Sequence, residues 1–440
     1  MTDTNLPVAV IGAGPVGLAA AAHLVSRGIE PLIFESGDTV GASVREWGHV
    51  RVFSPWDFNI DPVAAELLAE SGWSPPAGDA YPTGDEIVTR YLEPLAGVPA
   101  IRDALHLGAR VVSVSRFGID KLKDAGREDA PFQLIVKQGG TARYLAQAVI
   151  DASGTWTVPN PLGAGGLPAI GERAHAGRIA YGIPDMLGAD RSRYAGRRVL
   201  VAGSGHSAFN AILDLVTLRD AEPATEVVWA IRGGAPADKL GGGRADRLPA
   251  RGALGASIAR LVADGSVELV TGFQTQHVAD HGDRLAVHSE GQLLVVDEVI
   301  ATTGFRPDLD VLRELRLDLD DRVEAPRALA PLIDPNLHSC GSVPPHGIDE
   351  LSHPEPGVYV VGMKSYGRAP TFLLRTGYEQ VRSVVAALAG DWEAARDVRL
   401  VLPETGVCSA NRGTQVATQP VQAACCGALS SDEAETPAVA

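Results

Sequence analysis

The chain has 440 residues, 45% hydrophobic and 21% charged, and its 38 lysines and arginines against 54 aspartates and glutamates give a formal net charge of −16. That length predicts two or three domains rather than one core, and the balance excludes a chain disordered over most of its length. The acidic excess excludes DNA or RNA as a partner, because binding to a phosphate backbone runs on clustered lysine and arginine.

Val8-Ala9-Val10-Ile11 reads as a short apolar strand closed by Gly12-Ala13-Gly14-Pro15-Val16-Gly17, which opens an alanine-rich helix. In such a turn Gly12 makes the tight bend, Gly14 lets backbone approach a pyrophosphate, and Gly17 packs helix on strand. The first amides of the helix then face the phosphates of a dinucleotide. Glycines, Pro15 and His23 break the apolar run from Val8 to Val25, so it fits strand, turn and helix rather than a membrane span. The next strand, Pro31-Leu32-Ile33-Phe34-Glu35, ends on a carboxylate at about the twenty-residue distance expected of a ribose ligand. Residues 41–105, with Trp47, Trp56, Trp73 and several prolines, read as a long irregular stretch that helps build the site, with Trp47 on the cofactor side.

Strands are expected near Ala109–Arg116, Phe132–Lys137 and Leu145–Ile150, the last leading into Asp151-Ala152-Ser153-Gly154. Glycine at such a strand end permits a positive φ and close backbone approach to a cofactor. The same plan then starts again. Arg198-Val199-Leu200-Val201-Ala202 runs into Gly203-Ser204-Gly205-His206-Ser207-Ala208, and the strand Val227–Arg232 ends on a cation. Arginine pairs with phosphate through a planar fork, so Arg232 points to the 2′-phosphate of NADPH rather than to NAD, with Gly203, Gly205 and Ser207 as the turn that holds the nucleotide. Strands near Val267–Val270, Arg284–His288 and Gln292–Val296 follow and lead through Asp297–Thr303 to Gly304-Phe305-Arg306-Pro307.

This duplication predicts an α/β protein with two Rossmann-like dinucleotide-binding domains, each a parallel sheet with a small β-meander. Residues 1–160 and 297–402 form the first, 161–296 the second, and 403–440 a flexible cysteine-containing tail. A last strand ending at Gly362-Met363 leads through Lys364-Ser365-Tyr366-Gly367-Arg368-Ala369-Pro370 into a helix from about Thr371 to Leu388, with Pro370 in its first turn. The four cysteines, Cys340, Cys408, Cys425 and Cys426, make no disulfide framework. Reduced thiols, with no apolar leader ahead of the first strand, point to the cytoplasm. Cys340 stands among His338, His346 and His353 in a spacing that matches no standard zinc pattern.

On Gly12–Gly17, Glu35, Asp151–Gly154, Gly203–Ala208, Ala301–Pro307 and the strand ending at Gly362, the chain resembles the two-dinucleotide-domain flavoproteins of the flavin-containing and Baeyer–Villiger monooxygenase branch. The resemblance implies FAD along the first domain, with Glu35 on its ribose, and NADPH on the second. It also implies an FAD/NADPH-dependent oxidoreductase of the monooxygenase type that passes hydride to the flavin and uses molecular oxygen on a small-molecule substrate. The family fingerprint Phe-x-Gly-x-x-x-His would fall on His175-Ala176-Gly177-Arg178-Ile179-Ala180-Tyr181, where only Gly177 matches. No cysteine pair lies near Gly41–Val50 or beside the second turn, where related disulfide reductases keep theirs.

His338–Gly341, Pro344–Gly347, Gly362–Leu374, Pro403–Ser409 and Cys425-Cys426-Gly427 look like the flavoprotein monooxygenase-like proteins of bacterial arsenic-resistance operons. On that likeness Cys408, Cys425 and Cys426 offer three soft thiolates to trivalent arsenic, and the substrate is small and soft, an arsenical among the candidates. Lys364 and Arg368 would flank a helix N-terminus at the flavin's pyrimidine edge and stabilise the reduced anion. Two alternatives stay open: an NADPH-dependent flavin reductase of a metalloid or disulfide held by the tail cysteines, and a non-enzymatic arsenic-binding or redox-sensing flavoprotein.

Overall fold

The computed structural model describes residues 6–234, 240, 246, 248–337, 343–370 and 372–400. The first half runs β1 (Val8–Ile11), α1 (Pro15–Ser26), β2 (Pro31–Phe34), α2 (Pro62–Glu70), β3 (Leu105–His106), β4 (Arg110–Arg116), β5 (Phe132–Lys137), β6 (Thr141–Ala146) and β7 (Ala148–Asp151). The second half runs β8 (Ile179–Tyr181), β9 (Arg198–Ala202), α3 (His206–Ala221), β10 (Glu226–Ala230), α4 (Pro249–Ala263), β11 (Glu268–Val270), β12 (His277–His281), β13 (Arg284–Ser289), β14 (Gln292–Val296) and β15 (Glu298–Ala301). The chain then returns to the first half with β16 (Val358–Val360) and α5 (Leu374–Leu388).

Two five-stranded parallel sheets result, ordered β16-β7-β1-β2-β3 and β8-β15-β9-β10-β11, with antiparallel meanders β4-β5-β6 and β12-β13-β14. Position by position the sheets match, so the duplication expected from the glycine turns is present in the topology.

Each sheet is buried on both faces by side chains that alternate along a strand. Val8 and Val10 pack with the helical layer of α1 and α5, whereas Ala9 and Ile11 pack with Phe132, Leu134 and Ala146 of the first meander. In the second sheet Val199 and Val201 meet Phe209, Ile212 and Leu215 of α3, while Leu200 and Ala202 meet Val278, Leu285 and Val287 of the second meander.

Three expected elements move. β15 pairs with β9 and β8, so the chain leaves the second sheet after Ala301 rather than at 297. Val267–Val270, expected in the second meander, supplies β11, the edge of the parallel sheet, and His277–His281 takes the meander position instead. Leu145–Ile150 divides at Gln147 into the end of β6 and the start of β7, because residues before and after the break pair with different sheets.

The two crossings between halves run side by side. Asn160 N–H donates to the Gly304 carbonyl at 2.9 Å, Arg306 N–H to Val158 at 3.0 Å, and Thr303 Oγ1 to the Asn160 carbonyl at 2.6 Å. Trp156 stacks on Phe305 with centroids 4.5 Å apart. Residues 403–440, expected to be a tail, lie outside the described residues.

Candidate functional site

Both glycine turns have the geometry of a dinucleotide cradle. Gly12 sits at φ +100°, and a Cβ there would stand 2.8 Å from the Ala152 carbonyl oxygen, while Gly17 abuts the Gly12 carbonyl so closely that a side chain cannot enter. Gly14 differs: it begins α1 with ordinary extended dihedrals, and a Cβ on it would meet nothing within 4 Å. In the second turn Gly203, at φ +140°, is pressed on the Thr302 backbone, and Gly205 opens α3 with the same free space in front of it. In each turn the first glycine is needed by the protein, and the one at the helix start leaves a surface open to a ligand.

Glu35 follows β2 and is 8% exposed; its Oε2 accepts from Ala13 N–H and its Oε1 from Gly37 N–H, both at 2.8 Å. Those bonds orient the carboxylate beside the first turn and leave lone pairs able to accept further hydrogen bonds. Arg232, just past β10, is exposed, and its Nη1 donates to the Ala164 carbonyl at 3.1 Å. Gly154, Gly304 and Gly362 hold φ of +70°, +84° and +69° at the ends of β7, β15 and β16, and Gly362 lies against Val16 of α1.

A cavity of about 360 Å³ joins the halves. Pro15 at the start of α1, His206 and Ser207 at the start of α3, and Leu373 and Leu374 at the start of α5 line it, so three helix N-termini open on one volume. Its walls are mostly apolar, from Val44, Trp47, Val52, Ile87, Trp156, Ile183 and Phe372, with Arg51, Ser54, Asn59 and Asn210 as polar groups. Helix N-termini present unpaired N–H groups and the positive end of the dipole, which suits a ligand that carries or gains negative charge.

His206 and Phe53 bring the halves into contact across this cavity, with ring centroids 5.0 Å apart. Burial, and then the charge of Arg251, push the His206 imidazole down to about 4, so it is neutral near pH 7. Arg251 is itself held by a two-bonded pair with buried Asp246, at 2.8 and 2.6 Å. A folded-state value below the ordinary one of about 6.5 means that the unfolded chain takes up this proton first. Stability from His206 is therefore present above about pH 6.5 and lost as the pH falls toward about 4. His206→Asn is expected to lose less of its thermal midpoint between about pH 7 and about pH 4.5 than the parent protein. Equal losses would refute the burial argument. Asp214, raised to about 6 mainly by burial, has the opposite sign and cancels in this comparison.

Two predicted site residues take other places. Lys364 is spent on an internal ion pair: it is 1% exposed, its Nζ pairs with Asp151 Oδ2 at 2.7 Å and donates to Ser153 Oγ at 3.0 Å. Its charge is neutralised inside the protein, where it fixes the 151–154 turn against Gly12. Arg368 is exposed and turned toward Gly166, away from the cavity. The helix expected from Thr371 starts at Leu374, which leaves Pro370 ahead of it rather than in its first turn.

Cys340, Cys408, Cys425 and Cys426 lie outside the described residues, among which no metal-binding cluster occurs. His346 is tied instead to the Pro344 carbonyl at 3.0 Å and to Gln380 at 3.1 Å. Where the monooxygenase fingerprint would end, the Tyr181 hydroxyl donates to buried Glu172, which also accepts from Leu162 N–H at 2.8 Å and Ala169 N–H at 2.6 Å. The segment organises the 162–169 loop. No described helix is long and apolar enough to cross a membrane.

The family model for pyridine nucleotide-disulphide oxidoreductases matches residues 9–328, which takes in both glycine turns, both sheets except β16, and both crossings. The chain belongs to this family. It is a flavoprotein oxidoreductase by that membership, of the type that includes monooxygenases and disulfide reductases, and the two turns are those of a fold for FAD and NADP(H).

Among curated relatives, indole-3-pyruvate monooxygenase YUCCA1 of Oryza sativa is 27% identical over 215 residues, 48% of this chain and 46% of its own length. A ferredoxin–NADP reductase of Thermus thermophilus is 25% identical over 360 residues, 78% of this chain and 86% of its own. The chain spans about half the length of the curated monooxygenases it matches. Bacillithiol disulfide reductase Bdr from Bacillus cereus superposes with a TM-score of 0.61 at 21% identity, covering 88% of this chain and 99% of that one.

Trp156, His206, Phe53, Asn210 and Phe372 are site residues that motif spacing missed. His206 was legible, because it occupies the first helical position of the second turn. Phe53 and Phe372 carry no local signal, since only packing of the two halves brings them to the cavity.

Proposed function

We propose that this protein is a cytoplasmic, FAD-dependent, NADPH-oxidising enzyme of the monooxygenase type that uses molecular oxygen on a small, soft substrate. The observation that carries the reading is the cavity onto which α1, α3 and α5 all open, because it unites the two nucleotide turns at one reaction volume. Bound flavin would supply hydride acceptance and oxygen activation there. The chain's own part is to bind, orient and exclude water. Gly14 and Gly205 leave room for pyrophosphates, Glu35 would hold a ribose, and Arg232 the 2′-phosphate. Trp47, Trp156 and Phe372 wall off solvent, and neutral His206, with Ser207 and Asn210, offers hydrogen bonds without a competing charge.

The apolar walls favour a neutral or weakly polar substrate over a highly charged one. An arsenical fits that description, and its support is the motif resemblance together with Cys408, Cys425 and Cys426. A reductase reading draws on the Thermus relative, whose match extends over both halves. Oxygen separates the two. Under anaerobic conditions NADPH is expected to bleach the flavin spectrum, and admitted oxygen to restore it with consumption that rises when substrate is oxidised. Flavin that reoxidises with an added electron acceptor but yields no oxygen-dependent product would favour the reductase.

The same titration tests Arg232. Arg232→Ala is expected to weaken NADPH by on the order of 2 kcal/mol, more than tenfold, and NADH little, since a charge-assisted phosphate contact is lost. Equal weakening of both nucleotides would remove Arg232 from the 2′-phosphate site.

A further inference from the structure

The 162–169 loop, held by Glu172 and the fingerprint position Tyr181, carries a second feature. Glu172, 3% exposed, pins the loop from beneath through Leu162, Gly163 and Ala169 N–H, and the turn Gly163–Gly166 projects above it. Three arginines from separate parts of the chain reach this turn. Arg232 Nη1 donates to the Ala164 carbonyl at 3.1 Å, and Arg306 Nη2 to the Gly166 carbonyl at 3.4 Å. Arg306 is further fixed by its Nε on Asn160 Oδ1 at 2.8 Å, within the paired crossings. Arg368 comes from the other half and is exposed, and its guanidinium has no hydrogen bond or ion pair among the described residues.

The geometry is convergent. A methyl group placed on Gly166 would stand 3.8 Å from Arg368 Nη2 and 3.9 Å from Arg306 Nη2, so both guanidinium groups flank one point, and glycine at φ +79° leaves that point empty. None of the three arginines has a carboxylate partner among the described residues, although the chain carries 54 acidic side chains against 38 basic ones. Like charges gathered at one point repel, and a bound anion relieves the repulsion.

We infer that Arg306 and Arg368, converging on Gly166, form a binding site for an oxyanion, a phosphate or carboxylate group on a small ligand. Each guanidinium presents a planar fork of donors able to reach such a group at about 2.8 Å. Because Arg306 lies in the crossing that leads out of the second half, Gly166 in the second half and Arg368 in the first, the bound group would sit where the two halves meet beside their crossings. The inference stands apart from the assignment of the nucleotide turns and from the reaction type.

Titration calorimetry on the FAD-loaded protein at low salt tests it, with inorganic phosphate, benzoate and NADP+ as probes. The parent protein is expected to bind phosphate or benzoate, and Arg368→Gln to weaken that binding at least tenfold, with FAD content and thermal midpoint unchanged since Arg368 has no structural partner. Arg368→Lys should restore part of it, and Gly166→Ala, which fills the point between the forks, should weaken it again. If NADP+ competes with the probe and weakens by the same factor in Arg368→Gln, the oxyanion is a nucleotide phosphate. If NADP+ binding is unchanged while benzoate is lost, it is a carboxylate on a ligand other than the nucleotide. A parent protein that binds neither phosphate nor benzoate, or an Arg368→Gln variant that binds both as the parent does, overturns the site.

Discussion

Replacing Gly14 with valine is expected to abolish stoichiometric FAD binding while leaving the apoprotein folded. Gly14 has φ −81° and ψ −171°, which valine adopts without strain, and a Cβ at this position meets no protein atom within 4 Å. The added isopropyl group would instead occupy the open surface over the N-terminus of α1, where a pyrophosphate must lie to receive its amides. Protein purified from this variant should be colourless, with a thermal midpoint close to that of the parent protein stripped of FAD. Gly17→Ala is the contrasting control, because its methyl group collides with the Gly12 carbonyl and the protein itself should suffer. A yellow Gly14→Val protein with full FAD content would show that the first turn is not the flavin cradle.

The second large effect concerns Lys364. Lys364→Met is expected to destabilise the protein by about 3–5 kcal/mol, the usual cost of leaving one member of a buried ion pair without the other. The pair is 1% and 0% exposed, so solvent cannot take over the lost contact. Asp151 would keep only the Ser153 bonds, from N–H at 3.1 Å and Oγ at 2.6 Å, and the 151–154 turn that backs Gly12 would loosen. Weaker FAD retention should therefore accompany the fall in unfolding midpoint. Combining Lys364→Met with Asp151→Asn removes the orphaned charge and should recover part of the stability, a test a surface lysine would not pass. An unchanged midpoint in the single variant would mean that the pair contributes nothing to the fold.

That outcome would also decide between two accounts of Lys364. The family resemblance implies, for a cation two residues past the strand-end Gly362 and ten before α5, a place at the flavin's pyrimidine edge. In the fold the side chain runs inward to β7, a strand 213 residues earlier in the chain, because β16 lies beside β7 and the 3-10 turn after β16 points Lys364 at the Asp151 carboxylate. Arg368, four residues on, points the other way, to a loop of the second half.

What the sequence determined by itself is local. Strand, glycine turn and helix are neighbours in the chain, so Gly12, Gly14, Gly17, Glu35, Gly203 and Gly205 could be read from spacing, as could the duplication of the plan. Backbone conformation at these points depends on residues a few places apart, and steric rules fix it. Tertiary structure decided everything that depends on which strand lies beside which. It placed β15 in the second sheet, gave β11 to a sheet edge instead of a meander, and joined Phe53 to His206 across the cavity. It also turned Lys364 into a buried counter-ion and brought Arg306 and Arg368 to Gly166. Such contacts join residues from about forty to more than two hundred positions apart, and no local periodicity records them, since the burial that rewards them arises only when both sheets have formed and the crossings have set one half against the other.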